Sequence, residues 1–425
     1  MAEKTESSGI APRRAALRLL QQVMTEGRLL SELAPLLETL PPEGRARAHR
    51  LALEVLRDLG RADRLLTPHL NKRPPTFVMN ALRLGVVELA HGAAPHGVVN
   101  DLVAIVAADK RHNTMKGLTN AVLRKCAENT AEKFAKLPPS KLPDWLRGPL
   151  VAAWGRQAVT GMESAQAQGA ALDLTPKGDG AALAARLGGT LLPTGSVRLA
   201  GREQVTSLAG YAEGDWWVQD AAAAMPARIL AAQKGEKVLD LCAAPGGKTM
   251  QLAAAGADVT ALDLSESRLA RVGENLARTG LSARIMAGDA LEFAETGWDA
   301  ILLDAPCSAT GTMRRHPDLP YAKDGTGFSE LMELQERMID HALSLLKPGG
   351  RLVFCTCSLL PDEGEVQTEE ALARHPDVTV DRDALDIPGV DPAWITEEGG
   401  LRLRPDYWPA LGGMDGFYAV VLRKA

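Results

Sequence analysis

No apolar run in this sequence approaches the roughly 20 residues that a membrane-spanning helix needs. The opening residues, MAEKTESSGIAPRR, lack the apolar stretch of a secretory signal. Both absences predict a cytoplasmic protein. Cysteine is scarce as well: Cys126, Cys242, Cys307, Cys355 and Cys357 are an odd number in 425 residues, a poor match to a disulfide scaffold. The C-x₂₋₄-C pairs of a zinc site are missing, so no metal is expected. Internal repeats and low-complexity tracts are missing too. The thiols that are present lie mostly in the C-terminal half, beside Gly- and Pro-rich turns, which predicts reduced cysteines with chemical or packing roles.

What is there fits a soluble globular chain of two or three domains, with 46% apolar and 24% charged residues. The net charge of −5 conceals an asymmetry: residues 1–150 carry +8 and the remainder −13. A basic front half on an acidic protein points to a polyanionic partner such as RNA, although a solvated helical surface would give the same count.

Three regions are predicted. Residues 1–130 read as an all-α domain: Leu17, Leu20 and Val23 recur at helical spacing, and Pro41–Pro42 and Pro74–Pro75 separate the helices. Residues 131–225 read as a Pro-rich linker, KLPPSKLPDWLRG, followed by a small subdomain. Residues 226–425 change to short apolar runs, KVLDLCAAP, DVTALDL, ARIMAGD, AILLDAP and GRLVFCTC, alternating with helical text. Such alternation predicts a parallel sheet with helices on both faces, and the final run FYAVVLRK is predicted as its closing edge strand.

VLDLCAAPGGKT, residues 238–249, is a buried strand entering a glycine turn and then a helix. A phosphate-binding Walker loop needs glycine where Cys242 stands, and the dinucleotide pattern G-x-G-x-x-G is absent. The methyltransferase-type turn remains. The second strand ends in Asp263, placed to accept both ribose hydroxyls, and the third in Gly288-Asp289, placed to bind an adenine edge. Together they predict S-adenosylmethionine as cofactor.

The fourth strand runs into DAPCSATGTMRRHPD and the fifth into FCTCS. Both bring a cysteine to the carboxyl edge of the sheet, where open α/β sheets place their ligands. A thiolate added to carbon 6 of cytosine breaks the ring's conjugation and puts electron density on carbon 5, which can then take a methyl group. Asp304 is placed to bind cytosine N3 and its amino group, and Lys248 to orient that carboxylate. Cys355 and Cys242 are predicted to have packing or backbone roles. Arg314 and Arg315 are candidate phosphate contacts in an RNA substrate.

These residues resemble the RsmB/Nop/Sun family of RNA cytosine-5 methyltransferases. The likeness rests on Cys242–Thr249, Asp263, Asp289, DAPCS and TCS. It implies a Rossmann-like catalytic domain in which Cys357, after Thr356, is the nucleophile and Cys307 assists product release. Motif order by itself does not settle that division. The resemblance assigns the cofactor to Cys242, Ala243, Ala244, Pro245, Gly246, Gly247, Lys248, Asp263, Asp289 and Asp304, and Arg268 and Ala290 are further candidate cofactor contacts beside them. APHGVVNDLVAIV and KGLTNAVLRK, within residues 94–125, resemble the NusB-like RNA-binding domain that precedes the catalytic domain in bacterial members. The implied substrate is a small-subunit (16S) rRNA cytosine, with a tRNA cytosine or a non-catalytic ribosome-assembly role as alternatives. The chain departs from the family at Ala309, where glycine is common, at Gly364, where asparagine is common, and in QGAALDLTPKG, which lacks the usual Leu-Arg-Val-Asn text.

Overall fold

Proline sets where the helices of the first unit begin. The computed structural model describes residues 9–201 and 204–425, so residues 1–8 of the segment read for a secretory signal lie outside the described residues. Pro42 opens the helix Pro42–Arg57 and Pro95 opens Pro95–Ala108, at the one helical position where a missing N–H costs nothing. Pro75 precedes Thr76–Ala90. With Ile10–Glu26, Leu59–Leu66 and Lys116–Ala127 these helices make the all-α unit. Thr76–Ala90 is buried from Val78 to Leu89, so it is the central helix around which the others pack. Leu17, Leu20 and Val23 point into the same core.

The charged residues of this core are paired. Arg13 donates to Glu88 at 2.7 Å and to Asp101 at 2.5 Å, and Arg83 donates to both oxygens of Asp63 at 2.7 Å. Removing one partner of such a buried pair costs about 3–5 kcal/mol, because the other charge is left stranded.

The boundary of this unit differs from the sequence expectation. Residues 156–169 and 313–325 cluster with the helices up to Val151, and residues 152–155, 170–312 and 326–425 form the second unit. The stretch read as linker contains a helix, Asp144–Gln168, bent at Gly155, whose φ is 78°. Pro149, Gly148 and Gly155 interrupt its pattern, which is why the sequence reads as a connector there.

The second unit holds two sheets. The smaller is antiparallel, in the order β2-β3-β1-β4, from β1 (Leu172–Pro176), β2 (Thr190–Leu191), β3 (Val197–Leu199) and β4 (Trp216–Val218). Departing text QGAALDLTPKG supplies β1, whose buried Asp173 receives two hydrogen bonds from Arg198 at 2.6 Å.

The larger sheet has eight strands among the described residues: β5 (Lys237–Leu241), β6 (Asp258–Asp263), β7 (Arg284–Ala287), β8 (Trp298–Asp304), β9 (Leu346–Thr356), β10 (Val378–Val380), β11 (Leu401–Leu403) and β12 (Phe417–Lys424). The order is β10-β12-β9-β8-β5-β6-β7, with β11 also on β12. The first five runs predicted as strands are β5 to β9, and they pair in parallel. The sheet is nevertheless mixed, and β12 is not its edge. β12 pairs antiparallel with β9 on one side and with β10 and β11 on the other. Six consecutive buried residues, Phe417 to Leu422, are what an interior strand requires.

Strand order reverses between β5 and β8, the point at which open α/β sheets bind ligands. Beneath it Asp240 is fully buried in β5, with Oδ2 accepting from Thr249 Oγ1 at 2.5 Å. Burial pushes this carboxyl up to about 7, against the opposing pull of Thr249 and Lys248. Its unfolded value is about 3.9. The folded state therefore holds the proton more tightly, and the stability this group contributes is full below about pH 4 and lost as the pH rises through about 7. Asp240→Asn cannot ionise. Its melting temperature relative to the wild type should rise from about pH 4 to about pH 7 and level off above that, and a difference independent of pH would exclude titration of Asp240.

Candidate active site

The turn after β5 is built by two left-handed residues. Cys242 has φ 61° and Gly246 φ 98°, and a Cβ on Gly246 would lie 3.1 Å from Val272 Cγ1. Ala243 N donates to Leu262 O and Ala244 N to Asp263 Oδ2, both at 3.0 Å, so the turn is stitched to β6. Pro245 and Gly246 then lead into the helix Gly247–Ala254. Arg268 donates to Ala244 O at 2.5 Å, with Nη1 3.7 Å from Asp263 Oδ2. The Cys242 thiol is pushed up to about 12 by burial and by the charges of Asp304, Asp263 and Asp240. It is partly buried and packs against the core of the larger sheet.

Asp263 closes β6 with its two oxygens each taking one backbone N–H, from Ala244 and from Ser265. Each carboxylate oxygen retains a second lone pair for a ribose hydroxyl. Leu264 follows, 76% exposed, an apolar side chain with no protein surface to cover it. The sequence reading did not single it out; an apolar residue directly after an acidic strand end is its only signal. Asp289 is exposed, one oxygen occupied by Leu291 N at 2.9 Å, and Ala290 is buried behind it. Backbone amides, a carboxylate with free lone pairs and an uncovered leucine on one sheet edge fit S-adenosylmethionine.

At the end of β8, Asp304 Oδ2 accepts from Lys248 Nζ at 2.7 Å. Burial alone would lower the Lys248 pKa, but the Asp304 charge and hydrogen bond raise it, so the ammonium is fixed. Cys355, across on β9, donates its thiol to Asp304 Oδ1 at 3.5 Å. Burial, then the Asp304 charge, push that thiol well above the ordinary range. Cys355 is thus a buried spacer.

Cys307 and Cys357 come together, with Sγ atoms 3.4 Å apart. That separation is hydrogen-bond contact, well beyond a disulfide of about 2.05 Å, and both are free thiols. Among the described residues no group of three His, Cys, Asp or Glu side chains is arranged to hold a metal ion.

Around the two thiols lies a network that the sequence reading did not contain. Glu363 is 1% exposed and its carboxylate accepts from Ser308 N at 2.8 Å, Ser308 Oγ at 2.5 Å and Gln335 Nε2 at 3.1 Å. Its backbone oxygen accepts from Thr356 Oγ1 at 2.8 Å. Ser308, Thr310 and Ser358 share hydroxyl contacts of 3.1–3.2 Å. Gly311 N donates to Cys357 O at 2.9 Å, and a Cβ there would fall 2.0 Å from Gly416 O. Ala309, the departure from glycine, adopts φ 60°. Gly364 has no space for the common asparagine: a Cβ would meet Arg402 Nη2 at 2.6 Å.

The candidate phosphate pair divides. Arg315 is exposed, whereas Arg314 is 1% exposed and its carbonyl accepts from Arg57 Nη2 at 3.0 Å. Arg314 is thereby corrected to a buried residue of the helical unit, since adjacent side chains on irregular backbone point opposite ways.

Known proteins resemble this chain in both of its halves. Residues 227–423 match the family 16S rRNA methyltransferase RsmB/F, and residues 10–128 match the NusB family. Ribosomal RNA small subunit methyltransferase B of Klebsiella pneumoniae (strain 342) is 37% identical over 392 residues, 86% of this chain and 90% of that protein. The protein of the same name from Salmonella paratyphi B (strain ATCC BAA-1250 / SPB7) is 36% identical over 97% of this chain and 98% of its own. The crystal structure of PH0851 shares the fold, with a TM-score of 0.73 at 20% identity over 97% of this chain and 99% of that one. A methyltransferase homolog protein from Pyrococcus horikoshii superposes with a TM-score of 0.57 at 27% identity, over 67% of this chain and 95% of that one. The chain belongs to the 16S rRNA methyltransferase RsmB/F family and is an S-adenosylmethionine-dependent RNA methyltransferase.

Proposed function

We propose that this chain methylates carbon 5 of a cytosine in 16S rRNA, in the cytoplasm, through a covalent adduct on Cys357. The observation that carries the reading is the pair of free thiols 3.4 Å apart, on the sheet edge that also presents the Lys248–Asp304 pair. The small-subunit names of the Klebsiella and Salmonella relatives favour rRNA over a tRNA cytosine and over a silent assembly factor. The +8 charge of residues 1–150 and the exposed Arg315 suit a polyanionic partner.

S-adenosylmethionine, held by the β5 turn and Asp263, supplies a methyl group on a cationic sulfur. Cys357 Sγ, as the thiolate, would form a bond to carbon 6 of the cytosine, and the displaced ring electrons would let carbon 5 take the methyl carbon as the bond from that carbon to the cationic sulfur breaks, its electron pair staying on the departing sulfur. A base then takes the carbon 5 proton, the C6–S bond breaks, and its electron pair returns to Cys357. Asp304 holds N3 and the amino group, and Lys248 keeps that carboxylate in place. Cys307 is held as a thiol well above the ordinary range, first by its contact with Cys357 and then by burial. Its Sγ lies 3.4 Å from that of Cys357. Cys307 assists release of the product.

Two outcomes follow. Asp263→Ala should weaken S-adenosylmethionine binding about tenfold or more, because a lost ribose contact leaves polar groups unpaired at about 1–3 kcal/mol; unchanged affinity by calorimetry would remove Asp263 from the site. Cys357→Ala should neither methylate nor trap RNA. Cys307→Ala should transfer the methyl group and then stall, giving an RNA-shifted band on a denaturing gel. A shifted band from Cys357→Ala alone would reverse the roles.

A further inference from the structure

Two like thiols in contact pose a selection problem that the reaction scheme leaves open. Both sit at the ends of parallel neighbouring strands, both are half-buried, and a thiolate on either would be nucleophilic. If either sulfur could ionise first, half the molecules would present the wrong nucleophile. Some feature of the surroundings must break the symmetry.

We propose that Glu363 breaks it: this buried carboxylate is a positioning residue that keeps Cys307 as the proton-bearing partner, so that Cys357 attacks. The inference rests on the cysteine-adduct reading above and assigns a role to a residue outside the cofactor and cysteine motifs.

The geometry is one-sided. Ser308, the residue following Cys307, gives Glu363 both its backbone N–H, at 2.8 Å, and its hydroxyl, at 2.5 Å. Gln335 ties the same carboxylate to the Cys307 loop a second time, donating to Glu363 at 3.1 Å and to Pro306 O at 2.8 Å. The Cys357 loop meets only the main chain of this residue, through Thr356 Oγ1 on Glu363 O at 2.8 Å. The negative end of Glu363 therefore faces one cysteine's loop and the neutral peptide faces the other's.

The charge is also uncompensated. All its partners are neutral donors, and no Lys, Arg or His lies within ion-pair distance of it among the described residues. Two ion pairs lie on the elements packed here, Lys248 with Asp304 at 2.7 Å and Arg402 with Glu365, and neither includes Glu363. Arg402 turns its remaining donor to Ser358 O at 2.5 Å. A buried negative charge without a counter-ion acts on its neighbours more strongly than one in bulk water, and beside the larger effects of Cys357 and of burial it disfavours a thiolate on Cys307.

Glu363→Gln separates charge from shape. A glutamine can accept from Ser308 N and Gln335 through its oxygen. Its amide can donate to Ser308 Oγ, which turns its own proton to Ser358 or Thr310. The experiment is alkylation of full-length protein by iodoacetamide across pH, with each cysteine read by peptide mass spectrometry and folding checked by melting temperature. In the wild type, Cys357 should react first. In Glu363→Gln the preference for Cys357 over Cys307 should fall about tenfold, the equivalent of about one pKa unit. The pH profile of kcat should shift with it, while KM for S-adenosylmethionine stays unchanged. Ser308→Ala, which keeps the charge and the backbone N–H contact but loses the hydroxyl contacts to Glu363, Thr310 and Ser358, should retain the wild-type preference. An unaltered preference in Glu363→Gln, or an equal collapse in Ser308→Ala, would overturn the proposal. Should Glu363→Gln fail to fold, Glu363→Asp keeps the charge and should keep the preference; a collapsed ratio there would overturn it as well. Failure of the adduct reading is distinguishable, since it appears as absence of trapped RNA in Cys307→Ala.

Discussion

The parallel register of β8 against β9 is the constraint on which the site depends. It sets Asp304 opposite Cys355, and Ala305 N donates to Cys355 O at 3.0 Å as the last rung. Beyond that rung the two chains leave the sheet together, and Cys307 and Cys357 meet two residues later on each. A slip of one residue would turn every side chain on β8 to the opposite face. Asp304 would then lose Lys248, and the thiols would lose each other. The apolar residues Ala300 to Leu303, all at 0% exposure, hold the register against such a slip.

Past the sheet edge no ladder is left to hold the loops, and side chains take over. Glu363 and the hydroxyls of Ser308, Thr310 and Ser358 tie the loop after β8 to the loop after β9, and Gly311 is pressed between Cys357 O and Gly416. Burying so many polar groups is favourable only when each finds a partner. The arrangement is correspondingly rigid, and rigid placement of reacting groups is worth several kcal/mol in rate. Burial and the neighbouring carboxylates push the Cys242 and Cys355 thiols up, and contact with Cys357 together with burial does the same to Cys307.

Much of this was legible in the amino-acid text because it is local. The β5 turn, Asp263, Asp304 and the two cysteines sit at strand ends, where apolar runs stop and turn residues begin, and the five parallel strands follow from the same pattern. The parts that were illegible depend on partners distant in sequence. Glu363 looks like one of two solvated acids in PDEG until β9 carries it beneath Ser308, 55 residues away. Arg314 and Arg315 look identical, and only folding buries one of them. β12 was read as an edge because it comes last; its paired neighbours β10 and β11 are too short to announce themselves. The helix Asp144–Gln168 was hidden by its own prolines and glycines.

The central claim is that the sulfur of Cys357 bonds to carbon 6 of the target cytosine. The most direct measurement uses 16S rRNA fragments carrying 5-fluorocytidine, in which fluorine replaces the proton that must leave carbon 5. Release is then blocked, and the wild-type enzyme with S-adenosylmethionine should accumulate a covalent RNA complex. Digestion and mass spectrometry should find the methylated nucleotide on the peptide containing Cys357. The same nucleotide on Cys307, or no covalent complex at all, would contradict the account.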